Sequence, residues 1–239
     1  MERMVKLKPN EYLEFQEEIK RRKWEKLVFY MAPANISVVR EFYCNAQVLS
    51  NEFLEYTNYV RGVTIRFNAD TINDFFGHPR YYEYLDWISR NKNYELVEQT
   101  VCKPGKKFQY TSRGKTSHIL REDLIPMAKI WVAFIHANLA MCCHTYDLLE
   151  SKTLLLYAIM DKKVINVGAL IAEEIRSYAQ HTSILGHPSL ITYLCHRAGV
   201  DVTKTPFEKL KMPINKVYID TFYYKEHCTK IARTTTSSS

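Results

Sequence analysis

The chain has 239 residues, of which 46% are hydrophobic and 25% charged, with seven glycines and eight prolines. This composition fits one globular domain with room for a small attached piece and excludes a collagen-like or linker-rich chain. The net charge of +7 favours acidic partners such as nucleic acid, although surplus surface lysine accounts for it equally well.

Asn10 to Lys26 reads as an amphipathic helix, with Tyr12, Phe15, Ile19 and Lys23 on one stripe and Trp24 and Leu27 extending the apolar side. The basic run Lys20, Arg21, Arg22, Lys23 and Lys26 alternates with Glu14, Glu17, Glu18 and Glu25. Pairs such as Glu17 with Arg21 and Glu18 with Arg22 have helical spacing, so the run reads as a solvated helix face. Val28 to Met31 is a short apolar stretch that stops before Pro33. Asn35 or Ser37 caps a second helix, Ile36 to Val48. Between Tyr56 and Phe67 the period changes: Val63, Ile65 and Phe67 alternate with Thr64 and Arg66, and Arg61-Gly62 supplies the turn of a β-hairpin. Asn68 or Asp70 caps a short helix, Thr71 to Phe76, which Gly77 ends.

Tyr81 to Arg90 is aromatic and helical in pattern, and Asn93 to Val101 adds a turn or two. Cys102 to Lys115 is a loop broken by Pro104-Gly105 and Arg113-Gly114, with Phe108 to Tyr110 and His118 to Leu120 as short strands pairing across it. Pro126 opens a helix carrying Met127, Ile130, Trp131, Phe134 and Ile135. Leu148 to Met160 is apolar on nearly all sides and reads as a buried central helix. Two further stripes follow: one runs from Val167 to Tyr178, and the other, from Leu190 to Cys195, is stopped by Gly199. The tail Lys204 to Arg233 is basic and holds Tyr218, Phe222, Tyr223 and Tyr224, and Thr234 to Ser239 reads as disordered. The fold class expected is mainly α, a compact multi-helix domain with a small β-hairpin.

Five pieces, in this order, carry a resemblance to a known family. They are Val38 to Ala46; Tyr59 to Gly62 with Phe67 and Ile72 to Gly77; His118 to Trp131; Leu154 to Met160 with Ile165 to Gly168; and His187 to Ile191 with Leu194-Cys195. Together they resemble the plant transposon protein domain family, found in plant genomes and often inside retroelement-derived open reading frames. The resemblance covers about Val38 to Val200 and implies a transposon-derived ancestry. It brings no catalytic residues with it. Its polar members, Arg40, Asn73, Asp123 and Asn166, read as caps, turns or buried hydrogen-bond partners.

Catalytic and metal motifs are sparse. Asp70, Asp74, Asp86, Asp123, Asp147, Glu173 and Glu174 sit at helix starts or on helix faces, with too few strands around them for an RNase H-like sheet. No Asp-Thr-Gly or Asp-Ser-Gly triplet and no phosphate-binding glycine pattern occurs. Cys142-Cys143-His144, Cys195-His196 and His227-Cys228 offer zinc-type ligands at poor spacing. Cys44 or Cys195 with His136 or His187 would be needed for a cysteine protease. The cysteines lack CxxC spacing, and Met1 to Pro9 is charged without an apolar core, so an intracellular, reducing location with free thiols is expected. No apolar run reaches the roughly 18 residues of a membrane span. The expectation is therefore no metal, cofactor, membrane or small-molecule ligand.

One segment stands out: Lys103, Lys106, Lys107, Phe108, Tyr110, Arg113 and Lys115 interleave cations and rings without a single acid. Cations of this kind contact phosphates while rings stack on bases. The expected layout is an N-terminal helical extension (1–37), the family domain (38–200) and a basic C-terminal extension (201–239). The expected role is non-enzymatic, with DNA, RNA or a second copy of the chain as partner. A protein-interaction module without nucleic-acid affinity, or a degenerate nuclease or hydrolase, are the alternatives.

Overall fold

The computed structural model describes residues 2–30, 32–50, 55–79, 92–141, 147–181, 185–208 and 211–224. Ten α-helices and two three-stranded antiparallel sheets are found among them, so the fold is mainly α with a minor β component.

The first expected helix is two. α1 (Leu13–Arg22) ends where Lys23 takes a left-handed conformation, φ 58°, and α2 (Glu25–Phe29) follows. The reason is geometric. On one straight helix Trp24 would stand about 140° around from Ile19, at 3.6 residues per turn. The break turns Trp24 inward, 3% exposed, onto Phe134 at 6.2 Å and Trp131 at 6.4 Å. Phe15 reaches the same cluster, 4.4 Å from Trp131.

α3 (Ile36–Asn45) is capped by Asn35, whose Oδ1 accepts from the Val38 N–H at 3.1 Å. The helix expected to reach Val48 stops earlier because residues 47–50 are recruited as β1 (Gln47–Ser50), paired with β2 (Glu55–Val60). Strand pairing there overrides helix propensity. β2 and β3 (Val63–Arg66) form the expected hairpin, Val60 opposite Val63. Arg61 and Gly62 both have positive φ, 50° and 77°, the two-residue turn whose twist matches that of the strands. α4 (Ala69–Phe76) has Asn68 as its cap and Gly77, φ 75°, as its stop. The helix expected over Tyr81 to Arg90 lies outside the described residues.

α5 (Tyr94–Val101) is capped by Asn93. β4 (Gln109–Tyr110) and β5 (Thr116–Leu120) pair as expected, Gln109 opposite His118. A third strand, β6 (Asp147–Leu149), joins β5, Ile119 opposite Leu148. α6 (Pro126–Phe134) continues into a π-turn, Ile135–Leu139. Leu148 therefore belongs to a strand, and the buried helix α7 starts after it (Glu150–Met160), with Thr153 through Ile159 all buried. α8 (Val167–His181), α9 (Pro188–Arg197) and a short α10 (Lys216–Ile219) complete the set.

α4 and α8 approach closely. Gly168 meets Ala69 and Asn73, and the Asn73 Oδ1 accepts the Gly168 N–H at 2.8 Å. Asn73 Nδ2 donates to Asn166 Oδ1 at 2.9 Å, and that oxygen also accepts the Ala169 N–H at 2.9 Å, capping α8. Asn73 and Asn166 thus do the buried and capping work their positions suggested.

Both flanks pack into the same core. Residues 1–37 contribute Val5, Phe15, Ile19, Trp24, Leu27 and Val28, and residues beyond 201 contribute Val202, Ile214, Ile219 and Tyr223. Val5 pairs in parallel with Ile214, through Lys6 N–H to the Ile214 carbonyl and Ile214 N–H to the Met4 carbonyl, both at 2.8 Å. Glu208 N–H donates to the Ala34 carbonyl at 2.9 Å.

Candidate nucleic-acid interface

The acid-free segment forms a loop that leaves α5 and returns through the β4–β5 hairpin. Its start is fixed by a bridge between Cys102 and Leu124 and by Lys103 N–H donating to the Asp123 carbonyl at 2.7 Å. Pro104 and Gly105, φ 79°, then make a turn closed by Lys106 N–H to the Lys103 carbonyl at 3.0 Å. Pro followed by a positive-φ Gly is the signature of a type II turn. The hairpin tip is closed by Gly114 N–H to the Thr111 carbonyl at 2.9 Å and Thr111 N–H to the Lys115 carbonyl at 2.8 Å.

Between this loop and α5 lies a cleft of about 580 Å³, with Lys103, Lys106, Lys107 and Tyr110 on one wall and Glu95 and Glu98 on the other. Glu98 is engaged: its Oε1 accepts the Phe108 N–H at 2.9 Å.

The seven expected site residues divide. Lys103, Lys107 and Arg113 are exposed and reach no carboxylate within ion-pair distance among the described residues. Lys115 is exposed near Glu150, which already accepts Tyr94 Oη at 2.6 Å and Lys92 Nζ at 2.9 Å. Tyr110 is 56% exposed. Lys106 is engaged structurally, its Nζ 2.8 Å from Asp123 Oδ1. Phe108 is packed rather than presented: it is 3% exposed, its ring edge-on to Tyr94 at 5.4 Å. It cannot stack on a base without leaving the core. Sequence reasoning did not connect Glu98 and Asp123 to this loop. The local signal was the Glu95, Glu98 and Gln99 spacing, one face of a helix ending at the loop.

The basic tail is partly enclosed. Tyr223 is buried, Arg3 lies over the Tyr218 ring at 4.8 Å, and Lys216 pairs with Asp220 at 3.1 Å. Residues 225–239 lie outside the described residues.

Among the described residues, no group of three or more His, Cys, Asp or Glu side chains is placed to hold a metal ion. Cys142-Cys143-His144 and His227-Cys228 lie outside the described residues. Burial pushes the Cys102 and Cys195 thiols up to about 12, the reverse of an activated thiolate. Burial also pushes His136 and His187 down to about 3, away from the range of a general base at neutral pH. No helix among the described residues is long and apolar enough to cross a membrane.

Residues 20–201 match the family described as "Putative plant retrotransposon-related domain". The chain belongs to this family. The match begins inside α1, earlier than the Val38 start of the resemblance, and ends just after α9. It spans the loop and the cleft, so both lie within the retrotransposon-related domain. No match was found among curated proteins or among solved structures.

Proposed function

We propose that this transposon-derived protein is non-enzymatic and binds nucleic acid through its phosphate backbone, using the 103–115 loop. What supports the reading is the exposure of Lys103, Lys107 and Arg113, without carboxylate partners among the described residues, around the open ring of Tyr110. Three unpaired cations and one bare ring suit a single strand: phosphates meet the cations and one base stacks on Tyr110. Such binding carries little sequence information, because every base offers a face for stacking and every phosphate the same charge.

Binding of a fluorescent single-stranded oligonucleotide should weaken with salt at a log–log slope of about −2 to −3, for three to four phosphate contacts. The triple variant Lys103→Ala/Lys107→Ala/Arg113→Ala should lose most of that slope and bind roughly tenfold or more weakly at low salt. Lys106 is left in place because it holds Asp123. Tyr110→Ala should weaken binding by about 1–3 kcal/mol with the salt slope unchanged. Anisotropy titrations decide: a parent protein that stays unbound at low salt, or a triple variant that binds like the parent, refutes the assignment.

A further inference from the structure

The C-terminal ends of α1 and α7 meet at a second basic site. Arg22 donates from Nη2 to the Ile159 carbonyl at 3.0 Å and from Nη1 to the Lys163 carbonyl at 2.7 Å. At this junction lies a pocket of about 150 Å³ lined by Arg21, Arg22, Lys23, His78, Lys162 and Lys163.

Part of this charge serves the fold. Cations beside a helix C-terminus complement its outward-facing carbonyls. Glu18 pairs with Arg21 at 2.6 Å and Arg22 at 2.5 Å, and Asp161 pairs with Lys163 at 3.1 Å. Among the described residues, the carboxylate of Glu25 acts on His78. Lys23 and Lys162 are left over. Both are exposed, and neither reaches a carboxylate within ion-pair distance among the described residues.

Their backbones point the same way. Lys23 and Lys162 each follow a helix in the left-handed region, φ 58° and 57°. Glycine occupies such positions without strain, and lysine does not. Lysine stands at both, against the backbone's preference, and on the same pocket. Conformational strain of this kind collects at binding sites.

His78 adds a third observation. It is 8% exposed, and its Nε2 lies 3.1 Å from the Lys23 carbonyl, which fixes Nε2 as the donor. Nδ1 is then an acceptor, buried without a hydrogen-bond partner among the described residues. As an acceptor, Nδ1 takes a hydrogen bond only from a donor, either a water or the protonated oxygen of a phosphate.

We propose that this pocket binds a phosphate group, with the ammonium groups of Lys23 and Lys162 as its direct ligands and Arg21, Arg22 and Lys163 supplying the positive field behind them. The volume sets the scale. Sites for whole small molecules enclose about 300–1,000 Å³, so 150 Å³ admits a phosphate or diphosphate and no attached base. The phosphate is either a free anion or the exposed end of a larger molecule lying outside. The site is separate from the loop. Glu150 at the start of α7 lies beside the loop through Tyr94, and the pocket lies at the other end of this helix of 11 residues, roughly 16 Å away at 1.5 Å per residue.

The test is a calorimetric titration of the full chain with inorganic pyrophosphate, paralleled by histidine ring NMR. Saturable binding with a shift of the His78 ring signals is expected. Lys23→Gly/Lys162→Gly should weaken the affinity about tenfold while the thermal midpoint holds, because glycine suits both left-handed positions. The loop triple variant should bind pyrophosphate like the parent. An oligonucleotide with a 5′-phosphate that displaces pyrophosphate, where its 5′-hydroxyl counterpart does not, identifies a nucleic-acid end as the source. Failure of both to displace it identifies a free anion. Absence of heat and of a His78 shift, undiminished affinity in the double-glycine variant, or loss of affinity in the loop variant overturns the proposal. Should the double-glycine variant unfold, the His78 shift in the parent decides alone.

Discussion

Alanine at position 168 lowers the stability by about 3 kcal/mol, a fall of roughly 10 °C in the thermal midpoint for a chain of this size. The direction is opposite to the ordinary one. Inside a helix, Gly→Ala is worth up to about 1 kcal/mol of stabilisation. At Gly168 an added Cβ would collide with the Ala69 carbonyl oxygen and approach Asn73 Cγ to 2.6 Å and Oδ1 to 2.7 Å. The first obstacle is backbone and cannot swing aside. The second is held at both ends, accepting from Gly168 N–H at 2.8 Å and donating to Asn166 at 2.9 Å. Relief by parting α4 from α8 would strand two buried amides, each worth about 1–3 kcal/mol when left without a partner. Equilibrium unfolding in urea checks it, and a variant as stable as the parent would show that the two helices do not touch here.

That contact also marks where the sequence stops being legible. Asn35, Asn68 and Gly77 could be read as caps and stops because each acts within four residues of itself. The Arg61-Gly62 hairpin was readable for the same reason. The meeting of Asn73 with Gly168 spans 95 residues, and no local pattern announces it. The basic run after Glu18 reads as a solvated helix face when α1 stands alone. Glu18 does pair with Arg22, yet it also takes Arg21, and Arg22 is drawn onto carbonyls 137 and 141 residues further along. The loop was half legible. Pro104-Gly105 and Gly114 set its turns locally. Whether Phe108 is presented or packed depended on Tyr94, across a ring contact that spacing alone does not reveal.

Acid destabilises the protein through His136 and His187. Burial holds both rings down to about 3, against an ordinary 6.5. For His136 the nearby charges of Lys152 and Arg121 add to burial, and neither ring nitrogen has a hydrogen-bond partner among the described residues. Between pH 6.5 and 3 the unfolded chain binds protons at these rings and the folded chain does not. Stability is therefore full above pH 6.5 and falls with pH through that window, by about 1.4 kcal/mol per pH unit for each ring. Together they remove roughly 4 kcal/mol by pH 5, a large part of the ~5–15 kcal/mol of an ordinary domain. Glu2 and Glu174 act in the opposite sense: burial raises both carboxyls, so protonation on the way down relieves them. These two carboxyls make the expected slope of the parent shallower, and substitution isolates the histidine share. His136→Met, similar in volume and without a titrating ring, should reduce the dependence of the unfolding free energy on pH by about 1.4 kcal/mol per unit between pH 6 and 4.5. Urea titrations across that range measure both slopes, and equal slopes in parent and variant would mean that His136 takes up its proton in the folded state as easily as in the unfolded one.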